Sequence, residues 1–543
     1  MSATATQTTE ATHTLRDPQS RLHLLIILVV SCSYEALFTQ FGINPLDDSW
    51  PIYAIWNMDK GGALFHDVLW VFPPGHLIPA WIGYHLAPPG LVGARIIYAI
   101  FAVAVSLGIY VLGRRLMPAR FALLAALMTS VAAPDSHLMH LVFGYRYMIF
   151  SILGLLAFAR YIDTRNRRLL FIAGLWLAGG AFFRLGPQFA AGCGIGVAIM
   201  SMHRDPREWL LDWRALGGGV LAVFVPLLVW AAASVGLETL WRELVTRPAT
   251  MLLLQSLPFP PIEFPEEWNR VDIRKWFVAS QFRVIWVLYG GYLAALFIRW
   301  LRAFRSREPF GHPLLVAVWL WGLVFFLRSL TRSDEPHLDS VIPPVLLLAS
   351  HGVYMVVRRV APLTETGAGK RAWIDRGVIL AAVSLWIVLL GVDTYVPHAR
   401  RGGNVVHAVK GRIEVGQKSQ AILTDLIVRR IKLTPPNARI LDLTVSPMYH
   451  VLADRRGYNA PDIVMPGTFL SPEEEQDFIN RVKRNPPALV IWSKKPFDRN
   501  PEKAVELTSP KLAAWVKANY TMWGLERKHF LMGRKGTHPP AGW

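Results

Sequence analysis

Apolar runs long enough to cross a hydrocarbon core recur along this chain at about residues 22–39, 93–113, 119–133, 147–162, 169–185, 187–202, 216–236, 279–299, 312–328, 340–357 and 377–396. They predict about eleven transmembrane helices. A shorter apolar piece at 76–87 predicts a helix lying along the membrane surface. The connecting loops alternate in charge. Arginine clusters fall at Arg114, Arg115 and Arg120, at Arg160, Arg165, Arg167 and Arg168, at Arg204, Arg207 and Arg214, at Arg299, Arg302, Arg305 and Arg307, and around Arg358, Arg359, Lys370, Arg371 and Arg376. The positive-inside rule places these clusters and the N-terminus in the cytoplasm, and the loops at 40–92, 134–146, 237–278 and 329–339 outside. With eleven spans the tail also ends outside.

The ends of the chain read differently. Residues 1–21 are polar and rich in Thr and Ala, with no cleavage-site pattern, so they predict a flexible cytoplasmic N-terminus ahead of a retained first span. Past the last span, residues 397–543 regain charge. Asn437-Ala-Arg-Ile-Leu-Asp-Leu443 and Pro487-Ala-Leu-Val-Ile-Trp492 read as short buried strands. Between them Ser471-Pro-Glu-Glu-Glu opens a helix that turns basic toward Lys483. Strand, helix, strand predicts a small extracytoplasmic α/β domain, with 22–396 as the membrane domain and 40–92 as its first external loop. No Gly-rich loop precedes the helix, which argues against a nucleotide site there.

Composition agrees with a polytopic membrane protein: 53% hydrophobic residues, 21 Trp and only 17% charged residues over 543 positions. The formal charge of +19 is absorbed by the loop asymmetry and the tail, so no nucleic-acid partner is expected. The two cysteines, Cys32 and Cys193, fall inside predicted spans and define neither a disulfide framework nor a metal or redox motif.

Candidate chemistry sits in the external loops. Asn44-Pro-Leu-Asp47-Asp48-Ser-Trp50-Pro-Ile-Tyr53 sets two carboxylates beside the membrane, and a partly dry Asp47 or Asp48 can act as a base toward a hydroxyl. The structural alternative is that Asp47 caps the helix beginning near Ser49. His66 and Asp67 in the same loop can position an acceptor group or form a solvated turn, and the 134–146 loop adds Asp135 and His137. The stretch Arg328-Ser-Leu-Thr-Arg332-Ser-Asp334-Glu-Pro-His337 places basic residues on the side where charge bias disfavours them. Arg332 with His337 suits an anionic lipid head group and Asp334 can orient either one; the alternative is an Arg332–Asp334 salt-bridge turn. Aromatic residues Trp50, Tyr53, Trp56 and Trp70 fit sugar stacking or, for most of them, a membrane-interface belt. The Pro-rich 237–278 loop reads either as a half-embedded cover or as a plain connector.

These residues resemble a known family. Asp-Asp-Ser-Trp-Pro-Ile-Tyr, the Gly61-Gly-Ala-Leu-Phe-His-Asp67 turn, the aromatic-Pro-Pro-Gly75 stretch, Gly93-Ala-Arg95 at the start of the second span and the Arg332-to-His337 motif look like the integral-membrane GT-C glycosyltransferases, in the aminoarabinose-transferase and protein-mannosyltransferase-like group. Tyr449-His-Val-Leu-Ala-Asp-Arg455-Arg456 looks like part of the small external domain of some bacterial members. The resemblance implies inverting transfer of a sugar from a polyprenyl-phosphate donor to an envelope lipid, glycan or protein at the bacterial cytoplasmic membrane. It implies a first-loop Asp as base, Asp48 before Asp47, with Arg332, His337 and Asp334 at the donor phosphate. No cofactor is required. A divalent cation, where a member uses one, would draw on the first-loop Asp with Asp67 or Asp135. The Asp-Asp pair does not single out one branch of the family. A lipid or solute transporter and a non-catalytic scaffold are the alternative classes.

Overall fold

Asp17 opens the first helix by accepting a hydrogen bond from the Gln19 amide, and Pro18 sits at a helical N1 position where its missing N–H costs nothing. The computed structural model describes residues 17–43, 46–86, 90–131, 146–264, 270–306, 310–360, 405–408, 411–414 and 418–543, with single positions 377 and 384. Most of the N-terminal leader, the span expected at 377–396 and the candidate residues Asp135 and His137 lie outside the described residues.

The membrane part runs α1 (Pro18–Phe38), α2 (Ser49–Asp59), α3 (Leu77–His85), α4 (Leu91–Gly113), α5 (Ala119–Val131), α6 (Met148–Thr164), α7 (Arg168–Phe183), α8 (Leu185–Met202), α9 (Pro206–Val235), α10 (Leu237–Trp241), a π-helical turn, α11 (Arg247–Leu254), α12 (Arg270–Ser306), α13 (Pro313–Ser329), α14 (Glu335–Asp339) and α15 (Ile342–Val360). Each apolar run expected up to residue 357 coincides with a helix. The expected count of eleven spans is not confirmed by length and composition: among the described residues five helices qualify, at Pro18–Phe38, Leu91–Gly113, Leu185–Met202, Pro206–Val235 and Lys275–Ser306. α5, α7 and α13 are apolar but short, because 13 to 17 residues rise only about 20–26 Å. Two helices begin well before their apolar runs. Asp205 and Pro206 start α9 early, and a charged first turn extends α12 back to Arg270.

Small residues let these helices approach closely, as membrane packing requires. A Cβ on Gly194 of α8 would lie 2.3 Å from the Ala317 carbonyl oxygen of α13, and one on Gly219 of α9 would lie 2.0 Å from that of Phe171 in α7. The 237–278 loop is largely helical up to Leu254 rather than an irregular connector.

The tail holds a two-stranded ribbon, β1 (Val405–Ala408) with β2 (Gly411–Glu414), followed by α16 (Lys418–Leu433), β3 (Ile440–Leu443), α17 (Met448–Ala453), α18 (Pro472–Arg484), β4 (Leu489–Ser493), α19 (Val505–Thr508), α20 (Pro510–Asn519), β5 (Tyr520–Glu526) and β6 (His529–Arg534). The expected strand, helix, strand order is present: β3 and β4 pair in parallel, Ile440 opposite Leu489, and Ser471 caps α18 by accepting from the Glu474 amide at 3.3 Å. A β5–β6 hairpin completes a four-stranded sheet in the order β3-β4-β6-β5.

The tail and the first loop share one apolar core. Trp50, Tyr53, Trp56 and Trp70 pack in the cluster that also contains Met448, Val451, Leu452, Ile463 and Met465. Here the structure corrects both expectations for these aromatics: at 0–4% exposure they face neither a sugar nor lipid head groups, because the tail covers them. Polar contacts fix the register of this docking. The Tyr53 hydroxyl donates to Asp462 at 2.6 Å, the Leu69 amide donates to Asp462 at 2.8 Å, and Lys60 pairs with Asp454 at 2.5 Å.

Burial raises the Asp462 carboxyl to about 6, while the Tyr53 and Leu69 donors pull the other way. A folded-state pKa above the unfolded value of about 3.9 means that the fold holds the proton more tightly. This group's contribution is therefore complete below about pH 3.9 and is lost as pH rises through about 6. His450 opposes it, since burial lowers the imidazole to about 4 and acid destabilises a neutral buried histidine. The Asp462 share appears in a difference. Between about pH 7.5 and pH 5 the stability of the parent relative to Asp462→Asn should grow by about 1.4 kcal/mol, read from thermal unfolding at each pH. Parallel pH profiles for the two proteins would rule this out.

Candidate active site

The turn at residues 46–48 leads into α2, and the two aspartates diverge there. Asp48 occupies the N-cap position of α2 but makes no capping bond with its side chain. Its carboxylate meets Arg95 of α4 at 2.8 Å, and both side chains are fully buried. The same guanidinium donates to the carbonyls of Phe41 at 3.0 Å and Gly42 at 2.8 Å. Arg95 thus ties the end of α1, the first loop and α4 into one knot, with Asp48 as its counter-charge. The Asp47 cap considered from sequence is not what is found, because the cap position belongs to its neighbour. Asp47 is half-buried and faces the opposite charge of Arg184.

Arg184 is the extended residue between α7 and α8, 7% exposed, with its guanidinium 4.6 Å from the centre of the Phe72 ring. It thus links two helices and is buried. Arg328, at the end of α13, lies close enough to act on it as a like charge, and Tyr147 and Tyr98 are also near it. The tyrosine hydroxyls lie 2.8 Å apart; Tyr98 donates to the His76 carbonyl at 3.1 Å, and the single proton of Tyr147 goes either to that carbonyl, at 3.0 Å, or to the Tyr98 oxygen. Arg146 sits over the Tyr98 ring at 5.8 Å and faces buried Glu35 near the end of α1. The assembly joins one half-buried carboxylate, converging guanidiniums and a rigid aromatic floor. An anion held by Arg184 and Arg328 would relieve the repulsion of two like charges in a poorly solvated place.

Arg184, Arg146, Glu35 and the tyrosine pair were not singled out by sequence as parts of one site. The available signal was the rule that an ionisable residue interrupting apolar helices is functional by default, which applies to Glu35 and Arg184.

The Arg332 motif is placed elsewhere. Arg332 donates through Nε to Asp334 at 2.9 Å, through Nη1 to the Gln255 carbonyl at 3.0 Å, and through both terminal nitrogens to Asp498 of the tail at 2.9 and 2.5 Å. Lys503 adds a second cation to Asp498 at 3.0 Å. Asp334 also accepts from the His337 amide and meets its ring at 2.5 Å. Of the expected phosphate-binding trio, Arg332 thereby forms an interdomain clasp with Asp498, and carboxylates occupy its fork, while Asp334 and His337 bond to each other beside it. Arg332→Ala and Asp498→Asn should each loosen the tail by about 1–3 kcal/mol. The double variant should cost little more than either alone, measured by protease sensitivity of the tail along a denaturant series. Additive losses would contradict a shared clasp.

His66 and Asp67 form a turn of their own. Asp67 accepts from the Ala63 amide at 2.8 Å and meets the His66 ring at 3.0 Å, and the His66 carbonyl accepts from Ala460 of the tail. Among the described residues no cluster of three His, Cys, Asp or Glu side chains is placed to hold a metal ion. With Asp48 bound to Arg95 and Asp67 closing its own turn, the described residues do not fit a metal centre.

The fold is that of the GT-C integral-membrane glycosyltransferases. Solved structures similar to this chain include ArnT from Cupriavidus metallidurans bound to undecaprenyl phosphate, with 15% identity, a TM-score of 0.54, and coverage of 95% of this chain and 98% of that one. The archaeal oligosaccharyltransferase AglB from Archaeoglobus fulgidus, in complex with an inhibitory peptide and a dolichol-phosphate, matches at 12% identity and TM-score 0.53, covering 97% of this chain and 75% of that one. The Archaeoglobus fulgidus oligosaccharyltransferase in complex with Zn and sulfate matches at 13% identity and TM-score 0.50, covering 94% and 73%. No protein-family profile and no curated protein matches the sequence.

Proposed function

We propose that the chain is an inverting glycosyltransferase that moves a sugar from a polyprenyl-phosphate donor to an envelope acceptor. The observation that carries this is buried Arg184, which lies near enough to Arg328 and Asp47 to feel both charges, within a fold shared with structures that bind undecaprenyl phosphate and dolichol-phosphate. Asp47 takes the proton of the acceptor hydroxyl as that oxygen attacks the anomeric carbon. The polyprenyl phosphate leaves with the electron pair of the broken C–O bond, and Arg184 and Arg328 stabilise its charge. Phosphate needs no acid to leave when cations hold it, so one base and one basic clamp suffice.

Two assignments move from their sequence-based places. The base becomes Asp47 in preference to Asp48, whose carboxylate neutralises Arg95. The donor phosphate passes to Arg184 and Arg328, since Arg332 holds the tail through Asp498 and His337 is bonded to Asp334. His66 and Asp67 belong to the same covered loop and shape the acceptor side. About eleven spans, a cytoplasmic N-terminus and an extracytoplasmic tail at a bacterial inner membrane complete the proposal.

The test is binding of undecaprenyl phosphate to the purified protein in detergent. Arg184→Ala and Arg328→Ala should each weaken it by about 10–100-fold, the worth of a charged hydrogen bond, while Arg332→Ala leaves it unchanged. Loss in Arg332→Ala alone would return the phosphate to the Arg332 motif.

A further inference from the structure

Beyond the carboxyl ends of the parallel pair β3 and β4, the tail contains a cavity of about 630 Å³. In sheets of this kind the crevice past the strand ends is where ligands bind, and the volume suits a small ligand. One wall is aromatic, from Trp492, Phe497 and Phe530.

The other wall is basic. Lys494, Lys495, Arg499 and Lys528 all face the cavity, and among the described residues no carboxylate lies within ion-pair distance of any of them. The acids of the wall are occupied: Asp498 by Arg332 and Lys503, and Glu506 by Lys517 at 3.2 Å. Partial burial, then the charges of Lys495 and Arg499, push the Lys528 amine below its usual range, a sign that the cations crowd one space. The loop carrying them is held in an unfavourable backbone. Asp498 and Arg499 are consecutive non-glycine residues at φ 54° and 59°, fixed there through the bond from Asp498 to Arg332.

We propose that this cavity binds a phosphate-bearing saccharide and recruits the acceptor for the transfer reaction. The cations take the phosphate oxygens, and the aromatic wall takes the apolar face of the sugar ring. The acceptor role rests on the transferase function proposed above; the binding itself does not. Because Asp498 both lines the cavity and grips Arg332, the bound saccharide is held against the loop that follows Arg328.

The experiment is calorimetric titration of the full-length protein with glucose 1,6-bisphosphate, with glucose, with inorganic phosphate, and with a short-chain phosphatidylinositol 4-phosphate. The parent should bind the bisphosphate at least tenfold more tightly than inorganic phosphate and should not bind glucose. Preference for the inositol lipid would mark a glycolipid head group, and preference for glucose 1,6-bisphosphate a soluble phosphorylated glycan. Lys495→Glu with Lys528→Glu should weaken the preferred probe at least tenfold, and Lys495→Arg with Lys528→Arg should retain it. Both positions are exposed, and an unchanged thermal transition certifies the fold. Asp47→Asn should bind like the parent, so a failed transferase assay leaves this result standing. Equal affinity in the charge-reversed variant, or equal affinity for inorganic phosphate, overturns the proposal.

Discussion

Asp47→Asn should lower sugar transfer by about 10²–10⁴-fold while leaving the amount of folded protein unchanged, because it removes a proton acceptor without changing the shape of a half-buried side chain. The effect is large because the base acts directly on the reacting hydroxyl. The check is mass spectrometry of cell-envelope glycans and glycolipids from a deletion strain carrying either the parent or the variant. A sugar that vanishes on deletion should return only with the parent, and its mass names it. Restoration by both would remove Asp47 from the mechanism.

Asp48→Asn should look similar in a crude assay for a different reason. It leaves Arg95 charged, fully buried and without its counter-ion, and breaking such a pair costs about 3–5 kcal/mol. The protein should accumulate poorly and unfold at lower temperature, yet each folded molecule should keep its activity. Removing both charges, in Asp48→Asn with Arg95→Met, should recover part of the stability, since a buried pair replaced as a unit is far less costly than one broken. If Asp48→Asn instead folds normally and is inactive, the base is Asp48. The two variants therefore separate two adjacent carboxylates that sequence could only offer together.

Why sequence could not separate them is a matter of distance along the chain. The helices were legible because an apolar run and a flanking arginine cluster are local signals. The Ser471 cap and the buried strands at 440–443 and 489–493 were legible for the same reason. The partners of the charged residues were not. Arg95 is 47 residues from Asp48, and Asp498 is 166 from Arg332; no spacing rule reaches so far. Sequence marks Arg332 as a cation in need of an anion, but the anion that answers it is a tail carboxylate. Four first-loop aromatics were read as surface groups because the surface covering them is contributed by residues 448–465. The β5–β6 hairpin escaped notice because its turn is Arg527-Lys528, with Arg527 at φ 54° where Gly or Asn would have announced it.

The bonds from Tyr53 and Leu69 to Asp462 join residues 409 and 393 positions apart. During synthesis the first loop is made early, and its buried donors wait without their acceptor until nearly the whole chain has emerged. Loop closure of this length is slow and comes last. Completion of the first loop is therefore timed by completion of the tail, so a nascent or truncated chain keeps the Tyr53 and Leu69 donors unsatisfied until its final domain has folded onto them.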